Sequence, residues 1–236
     1  MTPRYHGLSF HLEALAKDIP NKRSAEHSRL TILAAAARMA GTQDFPEMTV
    51  PDICQACGIS RATFYLHFDG RDSLFAELMR QLTALESSLT PSLAACPDVA
   101  AGILAIVDWY IDVHLANASL FHNLTFLRRT NRGINESWLE RARVLHRAVA
   151  KELNRFPEYQ ALPQEQADFV LEFFGGGMNS VISRVNTKLP RNPYVPTDLV
   201  KVKASVARLL YRSLFGCDTA IAAPAGRRRA RARAVS

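Results

Sequence analysis

Apolar residues recur along this chain at intervals of three and four, and no stretch shows the sustained alternation of a half-buried strand. Ile32, Ala35, Ala36 and Met39 lie at i, i+3, i+4 and i+7, which predicts a helix over 24–40 with one face inward and Ser24 as its cap. A longer helix is expected from Gly70 or Arg71 to Ser88. Pro91 and Cys96-Pro97 then mark a boundary. Beyond it, helices are expected at 99–116, 119–131, 134–155, 164–187 and 197–215, the last three separated by Pro157, Pro163, Pro190, Pro193 and Pro196. The pattern predicts an all-α fold, a small three-helix head on a larger helical body. Its divisions fall at 1–23 (an N-terminal extension), 24–78 (the head), 79–218 (the body) and 219–236 (a tail).

Between the two long helices of the head lies the stretch TVPDICQACGISRATFYLHFDGR, from Thr49 to Arg71. It predicts a short helix, a glycine-centred turn and a second short helix. Val50, Ile53 and Cys57 mark the buried side of the first short helix. Gly58 stands where the chain turns sharply, a conformation that costs glycine least. Ser60 is placed to cap the second short helix, and Phe64 and Phe68 recur one turn apart on its inner side. Arg61, Ala62, Thr63 and Tyr65 are left facing outward. Such a unit lays its second helix in the DNA major groove, and the alternative is a hairpin with a purely structural role.

Residues 29–78 carry a longer string of short motifs: Arg29, Ile32-Leu33, Ala35-Ala36, Met39, Phe45, Thr49-Val50, Ile53, Cys57-Gly58-Ile59-Ser60, Thr63-Phe64-Tyr65, His67-Phe68, Arg71-Asp72 and Leu74. This segment resembles the DNA-binding domain of the tetracycline-repressor (TetR) family of bacterial transcriptional regulators. The resemblance implies a homodimer that binds a palindromic operator in double-stranded DNA and lets go when a small molecule enters the C-terminal domain. It also implies that the helix after the motif connects the reading head to a regulatory body. Phosphate contacts are implied at Thr49, Thr63, Tyr65, His67 and Arg71. Position 71 is usually lysine in the family, and arginine keeps the charge; position 70 is often serine, so Gly70 lacks one capping hydroxyl. Arg61 and Ala62, with Thr63 shared and Ser60 as the cap, are the expected base-reading positions, because arginine matches guanine O6 and N7 and a small side chain admits a thymine methyl. For Arg61 a phosphate contact is the alternative.

In the body, the helix over 164–187 carries two apolar faces, one through Ala167, Val170, Leu171, Phe174, Met178, Val181 and Ile182, and another through Phe169, Phe173, Gly176, Gly177 and Ser180. A helix apolar on two faces needs a partner besides its own core. With Val202, Val206 and Leu210 of the last helix, the second face is expected to form a dimer interface, a four-helix bundle across a two-fold axis. A kink that makes room for a ligand is the alternative use of the glycines. Candidate effector contacts are Trp109, Tyr110, His114, Phe121, Phe126, Trp138 and Phe173, residues that serve equally well as ordinary core. Arg141, Arg143, Arg147, Lys151 and Arg155 wrap around their helix and are expected on a solvated surface.

The formal net charge of +7 changes this picture little. Residues 1–86 carry 9 Lys and Arg against 10 Asp and Glu, and five of the excess arginines sit in the last ten residues. That tail either adds sequence-independent attraction to DNA or is simply solvated. Arg4, Lys17, Lys22 and Arg23 leave 1–23 as either a DNA-contacting arm or a poorly held terminus. The four cysteines do not suggest a disulfide framework. Cys54 and Cys57 form a C-x-x-C best read as packing, with a redox switch or half a metal site as alternatives. Asp108 and Asp112 share a helix face away from His114, so no metal is expected. The same two aspartates interrupt the best apolar run, short of the about 18 residues of a membrane span, and the start lacks a signal pattern. A cytoplasmic protein with no membrane partner is expected. No nucleophile–base pair or phosphate-binding glycine loop is evident, so neither an enzyme nor a cofactor is expected.

Overall fold

The computed structural model describes residues 7–185 and 198–216, except the side chains at 179–181 and 183–185. The described residues are all-helical: α1 (Leu8–Asp18), α2 (Ala25–Met39), α3 (Val50–Cys57), α4 (Arg61–Tyr65), α5 (Arg71–Ser88), α6 (Val99–Ala116), α7 (Ala118–Leu127), α8 (Arg132–Leu153), α9 (Pro157–Gln160), α10 (Gln164–Val185) and α11 (Leu199–Phe215). A 3-10 turn at Phe45–Glu47 leads into α3. The long helices match the expected ones to within a few residues, and Ser24 caps α2 by accepting from His27 N–H. The arginine-rich tail and Arg4 lie outside the described residues.

The N-terminal extension holds a helix that the sequence reading did not anticipate. Leu8, Leu12 and Ala16 of α1 are buried, and the helix packs along α2. This explains why α2 is buried nearly all round, from Ala34 through Ala37, rather than along one stripe. The usual start signal is missing because Gly7, at the cap position, has no side chain. The cap comes from afar: Asn117 Oδ1 accepts from Leu8 N–H at 2.7 Å. At the other end Lys22 Nζ donates to the carbonyls of Ala16 and Lys17 at 3.0 and 2.6 Å. Lys22 is thereby committed to closing a helix C-terminus, where a cation is favoured.

Two apolar cores follow. The first joins α1–α5 with α7 and the start of α8, where Leu120, Phe121, Leu124, Leu127, Ile134 and Trp138 pack with Phe45, Ile53, Phe64, Phe68 and Phe75. Residues 24–78 alone therefore do not close the core of the head. The second joins α6 with α8–α11 through residues such as Ile103, Val107, Leu145, Leu153, Ile182 and Leu210. Helix α6 is long and apolar enough to cross a membrane by length and composition, with 56% of the window buried inside the fold. Its two acids meet Lys203 of α11, Asp112 at 2.7 Å and Asp108 at 3.6 Å. Pairing across that boundary turns the charged interruptions of α6 into a helix–helix contact.

Where α5 crosses α8, two charges are buried together. Arg141 Nε and Nη2 donate to the two Glu86 oxygens, each at 2.6 Å. Arg141 is 2% exposed, so the expectation of a solvated arginine row fails at its first member. Position 141 faces α5, whereas Arg143 and Arg147 reach Glu140 on the exposed side. Burial pushes the Glu86 carboxyl above its usual range against the pull of Arg141. For Arg141, burial penalises the charged form, but the charge and hydrogen bonds of Glu86, with Tyr110, hold its pKa above the ordinary value. Removing one partner leaves the other unpaired out of water, at a cost of about 3–5 kcal/mol, whereas two apolar residues of similar volume are often neutral. Urea denaturation is expected to show Arg141→Met destabilised on that scale and most of the loss recovered in the double variant Glu86→Leu/Arg141→Met.

Candidate nucleic-acid interface

The geometry of the reading unit starts at Thr49. Its hydroxyl accepts from Asp52 N–H at 3.3 Å, and Asp52 Oδ2 accepts from the N–H and O–H of Thr49 at 3.0 and 2.5 Å. This reciprocal box closes the first turn of α3 and holds the Asp52 carboxyl below its usual range, chiefly through the Thr49 hydroxyl. With Pro51 lacking an N–H, Val50 N–H is the donor that stays outside the cap. Helix α3 ends at Gly58, whose φ of 69° is left-handed, with its N–H directed to the carbonyls of Cys54 and Gln55. Ser60 then caps α4 by accepting from Thr63 N–H at 3.0 Å, and the two hydroxyls meet at 2.9 Å. Phe64 and Phe68 are buried, 5.8 Å apart between ring centroids, and anchor the short α4 on the head.

That anchoring decides what faces out. Ser60, Arg61, Ala62 and Tyr65 are exposed, and Thr63 and His67 are half-buried beside them. Leu66 is 82% exposed, an apolar side chain on the outward side that the Phe64–Phe68 spacing implied but the sequence reading passed over. Arg71 is half-buried. Its Nη1 donates to Met48 O at 2.7 Å and more weakly to Phe45 O and Pro46 O, with the guanidinium 4.9 Å over the Phe45 ring. Arg29 pairs with the buried Glu77 and lies over Phe68. Two of the cations near the motif thus also hold the head together. Serine returns near position 70 in another register: Ser73 Oγ accepts from Gly70 N–H at 3.2 Å.

Residues 32–78 match the family model described as "Bacterial regulatory proteins, tetR family". Over those residues the chain carries a TetR-family DNA-binding domain. It is 27% identical over 197 residues to the HTH-type transcriptional regulator SrpR of Pseudomonas putida, covering 82% of this chain and 78% of that protein. It is 36% identical over 59 residues to the HTH-type transcriptional regulator EthR of Mycolicibacterium smegmatis, where the match spans only 27% of the relative's length. Among solved structures, Salmonella enterica GusR superposes with a TM-score of 0.62 at 16% identity, over 84% of this chain and 100% of that one. At that identity the likeness concerns the fold. The TetR head is a DNA-binding, transcription-regulating domain, and α3–Gly58–α4 is its helix-turn-helix.

The C-x-x-C of this TetR head packs. Cys54 and Cys57 direct their Sγ atoms to the carbonyls of Ser60 and Thr31, both at 3.9 Å. Cys54 is the more buried of the two, and Cys57, expected on the inner side, is only half-buried. Burial pushes both thiols up, Cys57 to about 11.

In the body, Trp109, Tyr110, His114, Phe121 and Trp138 are buried, whereas Phe126 and Phe173 are 55% and 67% exposed. His114 stacks between Tyr110 and Phe121, with centroids 4.0 and 4.1 Å away, and Trp138 meets Phe121 edge-on. Its Nδ1 sits 2.8 Å from Tyr110 O and its Nε2 3.1 Å from Arg141 Nη2. A carbonyl only accepts and a guanidinium only donates, so these two contacts match an imidazole that donates from Nδ1 and accepts at Nε2. Arg141 and Glu86, absent from the sequence-based candidates, complete the cluster; only their burial distinguishes them from surface ions. An open groove of about 320 Å³ beside it is lined by Arg80, Thr83, Glu136, Ser137, Glu140 and Arg141, none of them an expected ligand contact.

The expected dimer residues divide. Phe169 and Phe173 are 70% and 67% exposed, and Gly176 and Gly177 are exposed beside them. Val202 and Leu210 are instead buried within the protomer, and Val206 is half-buried. The correction has a simple cause: α11 turns the Val202, Ala207, Leu210 and Leu214 stripe inward, which leaves Val200 and Leu209 as its exposed apolar residues. The Ser180 side chain lies outside the described residues.

Two outcomes follow for the TetR head. A Cβ at Gly58 meets nothing within 4 Å, so Gly58→Ala is expected to cost about 1–2 kcal/mol from backbone conformation alone. Thermal denaturation should show that loss, with Gly58→Asn milder. Because a thiolate is the reactive species, alkylation of Cys57 in the folded protein should stay slow at neutral pH and rise only as pH approaches about 11. Peptide mass spectrometry after pulse labelling across pH reads this directly.

Proposed function

We propose that this chain is a ligand-responsive transcriptional repressor that binds a palindromic operator as a homodimer and is released by a small-molecule effector. The observation that carries the reading is the outward face of α4, where Arg61, Ala62, Tyr65 and Leu66 stand exposed over a helix pinned from behind by Phe64 and Phe68. A helix held that rigidly can present base-reading side chains in the major groove. Arg61 reads a guanine with two hydrogen bonds, Ala62 admits a thymine methyl, and Tyr65, Thr63 and His67 donate to phosphate oxygens. Arg71 serves the backbone with whatever donors its carbonyl contacts leave. Thr49 contributes through the turn it caps.

One helix-turn-helix spans few base pairs, so the reading includes a second head. Phe169, Phe173, Gly176 and Gly177 of α10, with Leu209 of α11, supply an exposed apolar face for a two-fold partner. A Cβ at Gly176 or Gly177 meets nothing within 4 Å among the described residues, so packing among them does not call for a small residue there. On this reading the effector sits in the body near the Tyr110–His114–Phe121–Trp138 stack, beside Trp109, whose Nε1 is buried without a hydrogen-bond partner among the described residues. The working compartment is the cytoplasm.

Binding titrations over an operator and its single-base variants test the reading face. Arg61→Ala is expected to cost about 1–3 kcal/mol and to flatten preference at one base pair per half-site. Tyr65→Phe should weaken all sequences alike. A loss from Arg61→Ala that is equal on every sequence reassigns Arg61 to phosphate; unchanged binding when Arg61 and Tyr65 are both replaced removes α4 as the reading helix.

A further inference from the structure

The loop that delivers α3 to its place is held by a residue of the body. Asn123, in the middle of α7, is 3% exposed. Its Oδ1 accepts from Phe45 N–H at 2.7 Å, and its Nδ2 donates to Ala40 O and Gln43 O at 3.1 and 3.2 Å and to Ser119 O at 3.3 Å. The first three partners span the connection from the end of α2 to the 3-10 turn before Thr49. On the far side of that turn, Arg71 takes up Met48 O. The connection is therefore clamped at one end from α7 and at the other from α5.

We infer that Asn123 is a positioning residue for operator recognition, setting where the reading head sits on the body and hence which half-site spacing the dimer accepts. The inference rests on the dimeric reading above. Leu120 and Leu124 of the same helix also pack against the head, but apolar contacts are non-directional and allow small slides. Hydrogen bonds are directional and weaken steeply when misaligned, so the Asn123 set fixes the register of α7 against the loop. Two heads joined through their bodies gain affinity only when both meet their half-sites at once. A head free to slide on its body keeps its grip on one half-site and loses the advantage of the pair.

The test uses the full chain, an operator taken from its own upstream DNA, versions with the spacer lengthened or shortened by single base pairs, and a duplex with one half-site. The wild type should favour one spacing. Asn123→Ala should bind that spacing about ten-fold more weakly, show a flattened spacing profile, and hold the single half-site within about two-fold of the wild type. Asn123→Ser, which keeps a donor and an acceptor at shorter reach, replaces it if the alanine variant fails to fold, with a partial flattening expected. An unchanged spacing profile, or a loss on the single half-site as large as on the full operator, overturns the inference, since general destabilisation lowers both together. A wild type without any spacing preference instead overturns the dimeric reading beneath it.

Discussion

The junction between α5 and α8 depends on one buried ion pair, Glu86 with Arg141. Helix α5 belongs to two parts of the molecule at once: Leu74, Phe75 and Leu78 are core of the head, while Glu86, near its other end, faces Arg141. A bidentate guanidinium–carboxylate pair accepts only one approach and one rotation, unlike apolar contact. Because His114 and Tyr110 join the pair, the setting of α5 is also read by α6. Helix α5 is thus fixed by polar geometry at its end away from the head core.

Most charges near the reading unit have internal duties. Lys22 closes α1, Arg29 neutralises Glu77, and Arg71 gathers the carbonyls before α3. This accounts for a head that is not basic overall yet presents Arg61 outward. Long-range attraction to a polyanion is weak under such a balance, and short-range fit of donors and shape has to supply more of the selectivity. The basic residues along α8 and just past its end follow the same logic, with Arg141 turned inward and Arg143, Arg147 and Arg155 pairing on the exposed side.

How far the fold was legible depends on whether its signals were local. Ser24, the Thr49–Asp52 box, Gly58 and Ser60 are local capping and turn chemistry, and the helices they bound fall where the spacing places them. Helix α1 escaped because its cap is a side chain more than a hundred residues away in sequence. The inward turn of Arg141 and the choice of stripe on α11 escaped for a related reason: both faces of these helices look plausible alone, and only the neighbouring helix decides between them. The outward face of α4 was legible apart from Leu66, since two phenylalanines one turn apart leave little freedom to a five-residue helix. Of the body candidates, Trp109, Tyr110, His114, Phe121 and Trp138 pack in one series while Phe126 and Phe173 are exposed, and the sequence could not mark a site among them because aromatic packing and ligand lining use the same side chains.

The debt of the head to α7 bears on how such a protein can be made and recombined. A nascent chain that has emerged only as far as α5 lacks the Asn117 acceptor for α1 and the apolar wall of Leu120, Leu124 and Leu127. The first core is then sealed late in synthesis, after part of the second has already been translated. A chimera that grafts this reading head onto a foreign regulator must carry residues 117–138 along with it, since a seam cut after α5 would sever the head from its own inner surface.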